Sequence, residues 1–552
     1  MVVKISVGDN TYSIRIDNDN FQKLIQYLRR AGLRFDPATK TWVGDALYVE
    51  PPAELVAKVP ELAKLPRASG RYVANYFIFC GEEPKHLSYT IRRYKRVTCD
   101  EYCEEKAYTD YDVCVERCED EGWNPVLAVE ETIKLYWRDD RRPGCWHVPR
   151  GLVHKLNVES PPFNKSIEVD TSDAYVLREY QREVVKSVFD AFKKYGGAIA
   201  QMATGAGKSY MAGYIAKKLA NMGYTVYLTA LGVDLITQLR DFAAVHDADM
   251  NKVKAVTIQK LYRQLTGKSI DSSEIREAFG EDEIVVDENG EEDVEIDIRE
   301  RNVAVIIDEV HHVPARTVKE VVKEFGGGWA LRLGLSATPW RNDGRDLEVE
   351  AWVGPIVEPR ITSSFLIEHG YLVPVEINIV KAPTCINDER DSWSSIRRSL
   401  ARCEERNRYI VELAQQAPKP VLVLTPLVSH AKLLHEMMPG SELATGEVSP
   451  TQRKEIFDKI RRETLDVLVA TTIANEGLDL PPLRSMINAL GGKSKTMTLQ
   501  RVGRVVRPWP GKDQAVVYDI CDDVKYFRDH CHERMKLYRT EPAWRLVIPW
   551  DI

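Results

Sequence analysis

The sequence predicts an α/β protein in which two tandem parallel-sheet domains follow an α+β N-terminal accessory region. Three observations predict this. A chain of 552 residues is too long for one hydrophobic core and implies several domains. The run GGAIAQMATGAGKSYMAGYIAKKLA (196–220) passes from an apolar strand through a glycine-rich turn into a helix with apolar residues at helical spacing. The run NVAVIIDEVH (302–311) is a short apolar strand closed by two carboxylates, the pattern of a strand buried on both faces of a parallel sheet. The expected divisions are 1–70, a small α+β domain; 71–170, an accessory domain; 171–362, the first parallel-sheet domain; and 363–552, the second, with a C-terminal helix.

Composition narrows the class. With 44% hydrophobic and 29% charged residues the chain is globular in type. No stretch approaches the ~18 uncharged apolar residues of a membrane helix. The opening MVVKISVGDNTYSIRID alternates like a strand and lacks the apolar core of a signal peptide. No membrane role and a soluble, cytoplasmic protein are therefore expected. The net charge of −7 gives no sign of a nucleic-acid partner, but the charge is unevenly spread. Residues 281–297 are strongly acidic and read as an exposed hairpin around Asn289–Gly290. Arg92–Arg96 and Lys134–Arg138 are basic with aromatics interleaved, which suits stacking on unpaired bases and suits a half-buried strand equally well.

In the first domain, residues 21–43 read as a helix, a turn at Gly32 and a hairpin. Asp36–Pro37 starts the hairpin turn and Trp42 anchors the return strand. Next comes CDEYCEEKAYTDYDVCVERC, with Cys99, Cys103, Cys114 and Cys118 as two C-x3-C pairs. If each pair lies on a helix, the i,i+4 spacing puts it on one face, and a turn near Tyr108–Asp110 makes a helical hairpin. Two disulfides would then nest as Cys99 with Cys118 and Cys103 with Cys114. A Zn2+ site and reduced core cysteines stay open beside the staple, with zinc not favoured. In all three readings the segment is structural.

The chemistry lies in the later two-thirds. Gly205 and Gly207 let backbone N–H groups close around phosphate oxygens at a helix N-terminus. Lys208 supplies charge for the β/γ-phosphates, and the Ser209 hydroxyl can ligate Mg2+. The strict G-x4-G-K-[ST] pattern has glycine where this chain has Met202. Asp308 is placed for the Mg2+ shell and Glu309 to polarise a water. LGLSATP (333–339) is a further strand ending in small hydroxyl residues. VLVATTIANEGLD (467–479) is a strand followed by a loop with Gly477 and Asp479. In QRVGRVVRP (500–508), Arg501, Arg504 and Arg507 sit three apart and are expected on one helix face, aimed across a cleft at a γ-phosphate.

The ordered set MATGAGKS, DEVH, LSATP, ATTIANEGLD and QRVGRVVRP resembles superfamily 2 helicases over about residues 171–520, and within them the XPB and UvsW branch and the restriction-type translocases. The resemblance implies two RecA-like lobes with ATP and Mg2+ between them. Arg178 and Gln181, in LREYQ, match the nucleotide-edge motif, with Gln181 contacting adenine. The loop residues Thr204, Gly205, Ala206 and Gly207 hold the phosphates. Gln500 lies near the γ-phosphate with Arg504 and Arg507, and Gly477 and Asp479 belong to the nucleotide site. His311, Ser336 and Thr338 couple hydrolysis to lobe movement. Thr229, Thr257, Gln259, Arg341, Thr425 and Thr471 grip a nucleic-acid backbone. The forms of DEVH and QRVGRVVRP favour DNA (single-stranded, forked or branched) over RNA. Two departures from XPB stand out: Arg341-Asn342-Asp343 replaces an Arg-Glu-Asp loop, and the connection from 381 to 407 has room for one helix (391–406) and little more. Residues 21–43 resemble a HARP-type module and the small N-terminal domains of archaeal XPB. No nuclease motif is evident, so a cleaving or repair partner protein is expected to be encoded elsewhere.

Overall fold

The structure is a computed structural model. It describes residues 2–549 except 8–9, 17, 32, 45–46, 48–50, 66–69, 100–101, 104–113, 116–117, 119–124, 271–299, 301, 314, 338–344, 387–391, 472–479 and 493–494. The acidic stretch 281–297 and the turns at Gly32 and Tyr108–Asp110 lie outside the described residues. The chain divides into two compact units, Met1–Pro161 with Asp343–Ala351, and Pro162–Asn342 with Trp352–Ile552.

The first unit opens with β1 (Val2–Val7), β2 (Asn10–Arg15), the helix α1 (Asn18–Arg30), β3 (Arg34–Asp36) and β4 (Thr41–Gly44), in sheet order β2-β1-β4-β3. Leu24, Tyr27 and Leu28 recur at helical spacing and bury one face of α1. The expected hairpin forms. Asp36 Oδ1 accepts from Ala38 N at 2.9 Å, and Phe35 pairs opposite the buried Trp42. A second antiparallel sheet, order β5-β6-β10-β9, combines β5 (Gly70–Val73), β6 (Tyr76–Cys80), β9 (Trp137–Arg138) and β10 (Cys145–Pro149). The long strands β7 (Ser88–Arg96) and β8 (Val126–Lys134) pair with each other, and the cysteine segment lies between them in sequence. Cys99, Cys103, Cys114 and Cys118 have helical backbone and form Cys99–Cys118 and Cys103–Cys114 disulfides.

The second unit holds two lobes. Lobe 1 has α2 (Glu179–Tyr195), β11 (Gly197–Met202), α3 (Lys208–Asn221), β12 (Thr225–Ala230), α4 (Val233–Val245), β13 (Val253–Thr257), α5 (Ile258–Thr266), β14 (Val303–Ile307), β15 (Leu331–Ser336) and β16 (Ile356–Ile361). Its strands form one parallel sheet, β13-β12-β14-β15-β11-β16. Every residue of β14 is buried, as expected for a strand covered on both faces. Gly213 lets α3 meet α4 closely, since a Cβ there would stand 2.6 Å from the Phe242 carbonyl carbon. The short helix α6 (Ser363–Glu368) leads into lobe 2.

Lobe 2 contains β17 (Val375–Val380), α7 (Trp393–Arg402), α8 (Glu404–Gln416), β18 (Val421–Leu424), β19 (Glu442–Ala444), β20 (Val467–Ala470), β21 (Ser485–Asn488), α9 (Lys495–Val505), β22 (Ala515–Ile520), α10 (Phe527–Tyr538) and β23 (Trp544–Val547). Its parallel sheet runs β19-β20-β18-β21-β22-β17-β23. The single helix expected over 391–406 is corrected to two. Ser392 caps α7 by accepting from Ser395 N, and extended backbone at Cys403 ends it before α8 begins. A Cys385–Cys403 disulfide ties that corner to the segment leaving β17. One apolar cluster runs from Val184 and Ala200 through Leu366 and Leu372 to Met486 and Val502, so the lobes share a core.

Candidate nucleotide site between the two lobes

The glycine-rich turn connects β11 to α3, at the carboxyl end of the parallel sheet where ligands of such folds collect. Gly205 (φ +87°) and Gly207 (φ +77°) adopt left-handed backbone, which a side chain would strain. A Cβ on Gly207 would also stand 2.6 Å from Gln181 Nε2. That amide is fully engaged: Nε2 donates to Ala206 O at 2.9 Å and Oε1 accepts from Arg178 N at 2.9 Å. Tyr180 OH donates to the same Ala206 carbonyl at 2.9 Å. Gln181 therefore braces the loop and is not among the residues lining the cavity described below; the adenine contact stays what the resemblance implies. Met202, at the place of the first motif glycine, is buried, and its carbonyl accepts from Lys208 Nζ at 3.3 Å.

Lys208 Nζ also lies 3.3 Å from Glu309 Oε1. Ser209 Oγ stands 3.5 Å from Asp308 Oδ2, while Asp308 Oδ1 accepts from Glu309 N at 2.9 Å. Burial, then the neighbouring Glu309 charge, push the Asp308 carboxyl up to about 6; Lys208, the Glu309 N–H and Ser209 oppose that shift. Glu309 itself sits at φ +46°, ψ +47°, a conformation that costs an L residue roughly 1–2 kcal/mol. From there a polar chain runs to the next strand: Glu309 Oε2 is 3.6 Å from His311 Nδ1, which is 2.8 Å from Ser336 Oγ at the end of β15.

Lobe 2 faces this site through α9. Gly503 makes the approach, since a Cβ there would stand 2.5 Å from Thr204 Cβ. The expected one-sided arginine stripe is corrected. Each step of three residues falls about 60° short of a full turn, and α9 ends at Val505. Arg504 and Arg507 reach the cavity, whereas Arg501 turns into lobe 2 and donates to Asn488 Oδ1 at 3.0 Å. Gln500 is buried on α9 and does not line the cavity.

The cavity has a volume of about 320 Å³. Four cationic side chains (Arg178, Lys208, Arg504, Arg507) line it against two carboxylates (Asp308, Glu309). Tyr371, which follows α6, also lines it, and the Arg178 guanidinium lies over the Tyr371 ring at 4.8 Å from the centroid. No sequence motif marks Tyr371; only the return of the chain from lobe 1 brings it here. A glycine-relieved loop, an excess of positive charge and a hydroxyl–carboxylate pair of hard oxygen donors fit a nucleoside triphosphate with Mg2+, which commonly takes few protein ligands beside phosphate and water. Lys208, the loop N–H groups, Arg504 and Arg507 would hold phosphate, and Ser209 and Asp308 the cation.

The backbone-gripping set fares differently. Thr229 (0% exposed), Thr257, Gln259, Thr425 and Thr471 are all buried. Thr257 caps α5 through Lys260 N, Gln259 Nε2 donates to Leu231 O at 3.1 Å, and Thr425 Oγ1 pairs with the buried His430 at 2.8 Å. These side chains turn into the interior of their lobes, and their hold on a nucleic-acid backbone stays what the resemblance implies. Thr338, Arg341, Gly477 and Asp479 lie outside the described residues.

Two families match the chain: "Type III restriction enzyme, res subunit" over residues 174–341 and "Helicase conserved C-terminal domain" over 405–508. Putative helicase 22 of Sulfolobus islandicus filamentous virus is 27% identical, covering 75% of this chain and 76% of its own. The DNA 3'-5' translocase XPB2 of Sulfurisphaera tokodaii is 23% identical, covering 70% of this chain and 89% of its own. A putative DNA 3'-5' helicase Rad25 of Halobacterium salinarum is 28% identical, and the match spans 39% of its length. Among solved structures, T4 UvsW aligns over 87% of this chain and 98% of its own at 17% identity, with a TM-score of 0.31. The two matched families in this order, the phosphate loop and carboxylate pair of one lobe, and the arginines of the other place the chain in the superfamily 2 helicases, ATP-dependent nucleic-acid enzymes, on the XPB branch.

Proposed function

We propose that this chain is a DNA helicase or translocase that moves 3′ to 5′ on single-stranded, forked or branched DNA in repair, recombination or replication. The observation that carries the reading is the two-sided cavity, with Lys208, Asp308 and Glu309 on one wall and Arg504 and Arg507 on the other. Bound ATP supplies the phosphoanhydride whose cleavage drives the cycle. Lys208 and the two arginines neutralise charge on the phosphates. Glu309 orients and deprotonates the attacking water once Lys208 turns from its carboxylate to phosphate. Arg178 and Tyr371 offer a flat surface for the base. Because Arg504 and Arg507 belong to lobe 2, nucleotide binding draws the lobes together and hydrolysis releases them, advancing the strand by about one nucleotide per turnover. The names of the XPB-branch relatives supply the polarity and the choice of DNA. A nuclease or repair protein remains the expected partner.

The test is ATP hydrolysis with single-stranded, duplex, forked and Holliday-junction DNA, with RNA as control. Stimulation by DNA and its loss in Glu309→Gln are expected; normal turnover in that variant would sink the mechanism. Asn342, where XPB has a glutamate, favours a second reading as a duplex translocase or branch migrator that does not separate strands. Displacement of a triplex-forming strand without opening of a forked duplex would select it.

A further inference from the structure

We propose that the exposed face of the β5-β6-β10-β9 sheet is a second DNA site, which takes unpaired bases by stacking on Trp137. The pairing register sets the face. Trp137 stands opposite His147, His147 opposite Ile78, and Ile78 opposite Arg71; two residues along, Val73 stands opposite Tyr76. Alternate residues point to the other face, where Phe77, Phe79 and Val148 are buried. On the first face Ile78 and Cys145 are buried, but Trp137 on the edge strand is 42% exposed and Val73 37%.

The aromatic groups on it are organised. The Trp137 and His147 rings lie 5.4 Å apart at 14°, and Tyr76 meets Trp137 edge-on at 4.8 Å and 86°. The imidazole is held from behind, with Nε2 3.2 Å from Asp139 Oδ2, and that carboxylate in turn accepts from Arg141 N at 2.9 Å. A Cys80–Cys145 disulfide joins β6 to β10 one step along the same face. An indole preset in this way loses little conformational entropy on binding.

Charge selects the occupant. Residues 134–142 carry Lys134, Arg138, Arg141 and Arg142 against Asp139 and Asp140, and Asp139 is buried against His147. Lys134 and Arg141 are exposed; Arg138 is exposed as well but, opposite Trp146, belongs to the other face of the sheet. Cations flanking an aromatic face match phosphates flanking a base, the usual arrangement for single-stranded nucleic acid. This site rests on the DNA-motor reading for its choice of DNA, but it shares no residue with the nucleotide cavity.

The experiment measures binding of labelled dT20 to the full chain without nucleotide, at several salt concentrations, beside a blunt 20-base-pair duplex. Base–aromatic stacking is worth about 1–3 kcal/mol per base. Trp137→Ala should weaken dT20 binding about tenfold, leave the duplex affinity and the DNA-independent ATPase unchanged, and keep the salt slope, because stacking releases no counterions. Trp137→Phe should retain most of the affinity. Trp137→Leu keeps apolar cover without a π face and should behave like alanine, so misfolding of the alanine variant does not remove the test. Unchanged dT20 affinity in both Trp137→Ala and Trp137→Leu, as for a face that docks protein, overturns the proposal, and so does an equal loss on duplex. Failure of the motor reading shows separately, as absence of DNA-stimulated hydrolysis in the wild type.

Discussion

Lys208 and Glu309 hold one another at 3.3 Å, and only one of them can stay in that pair once a phosphate enters. Removing either breaks a different part of the cycle. Lys208→Ala should lose nucleotide affinity and hydrolysis together. Glu309→Gln should keep nucleotide binding while turnover falls at least a hundredfold, the scale of a lost general base; fluorescent-nucleotide binding and steady-state ATPase separate the two. Lys512 gives a pH signature. Burial, then Arg484 and Arg507, push its ammonium down to about 7, and Nζ reaches only the Pro481 carbonyl at 2.9 Å among the described contacts. Between pH 7 and about 10 the unfolded chain keeps a proton that the folded chain has released, so stability rises with pH in that window. Denaturant melts should show the wild type gaining on Lys512→Met from pH 7 to 10. At this scale the sequence was legible where chemistry dictates residue type, as in GAGKS and the Asp308–Glu309 pair. It said less at Thr229 and Thr425, because a threonine at a strand end reads alike whether it faces solvent or core.

Among the elements, α9 and the β11–α3 loop meet through a missing methyl group. Gly503→Ala would press a carbon to within 2.5 Å of Thr204 Cβ. The expected result is a rise in the KM for ATP with loss of kcat, as Arg504 and Arg507 are pushed off the cavity. Adding Thr204→Gly, which removes the opposing atoms, should restore part of both constants; equal defects in the single and double variants would contradict this contact. Helix and strand identity could be read from apolar runs and caps. Orientation about an axis could not. Arg501 faces Asn488 because Asp519, bonded to Arg534, Tyr538 and Asn488, gathers the polar groups of lobe 2 inward. The bonded pairs lie 13 to 31 positions apart in sequence, beyond any local pattern. The break between α7 and α8 was hidden for a related reason: Cys403 reads as one more helical residue until Cys385 is seen beside it.

Over the whole molecule all ten cysteines are paired, in five bonds with sequence separations of 65, 19, 11, 18 and 10. Each such closure is worth about 2–4 kcal/mol by restricting the unfolded chain. A Cys521→Ala/Cys531→Ala double variant should melt at a lower temperature by calorimetry while keeping the wild-type kcat at 25 °C. The helical spacing of Cys99–Cys118 showed how those four would nest; the partners of Cys80, Cys385 and Cys521 depended on sheet and helix packing that spacing alone does not carry. No cysteine occurs between Cys145 and Cys385, the stretch that includes all of lobe 1. The oxidised chain is thus riveted in its first unit and in lobe 2, and left unriveted in lobe 1 and where Gly503 meets Thr204. Covalent hardening and freedom of stroke coexist in it because they are assigned to different stretches of the polypeptide.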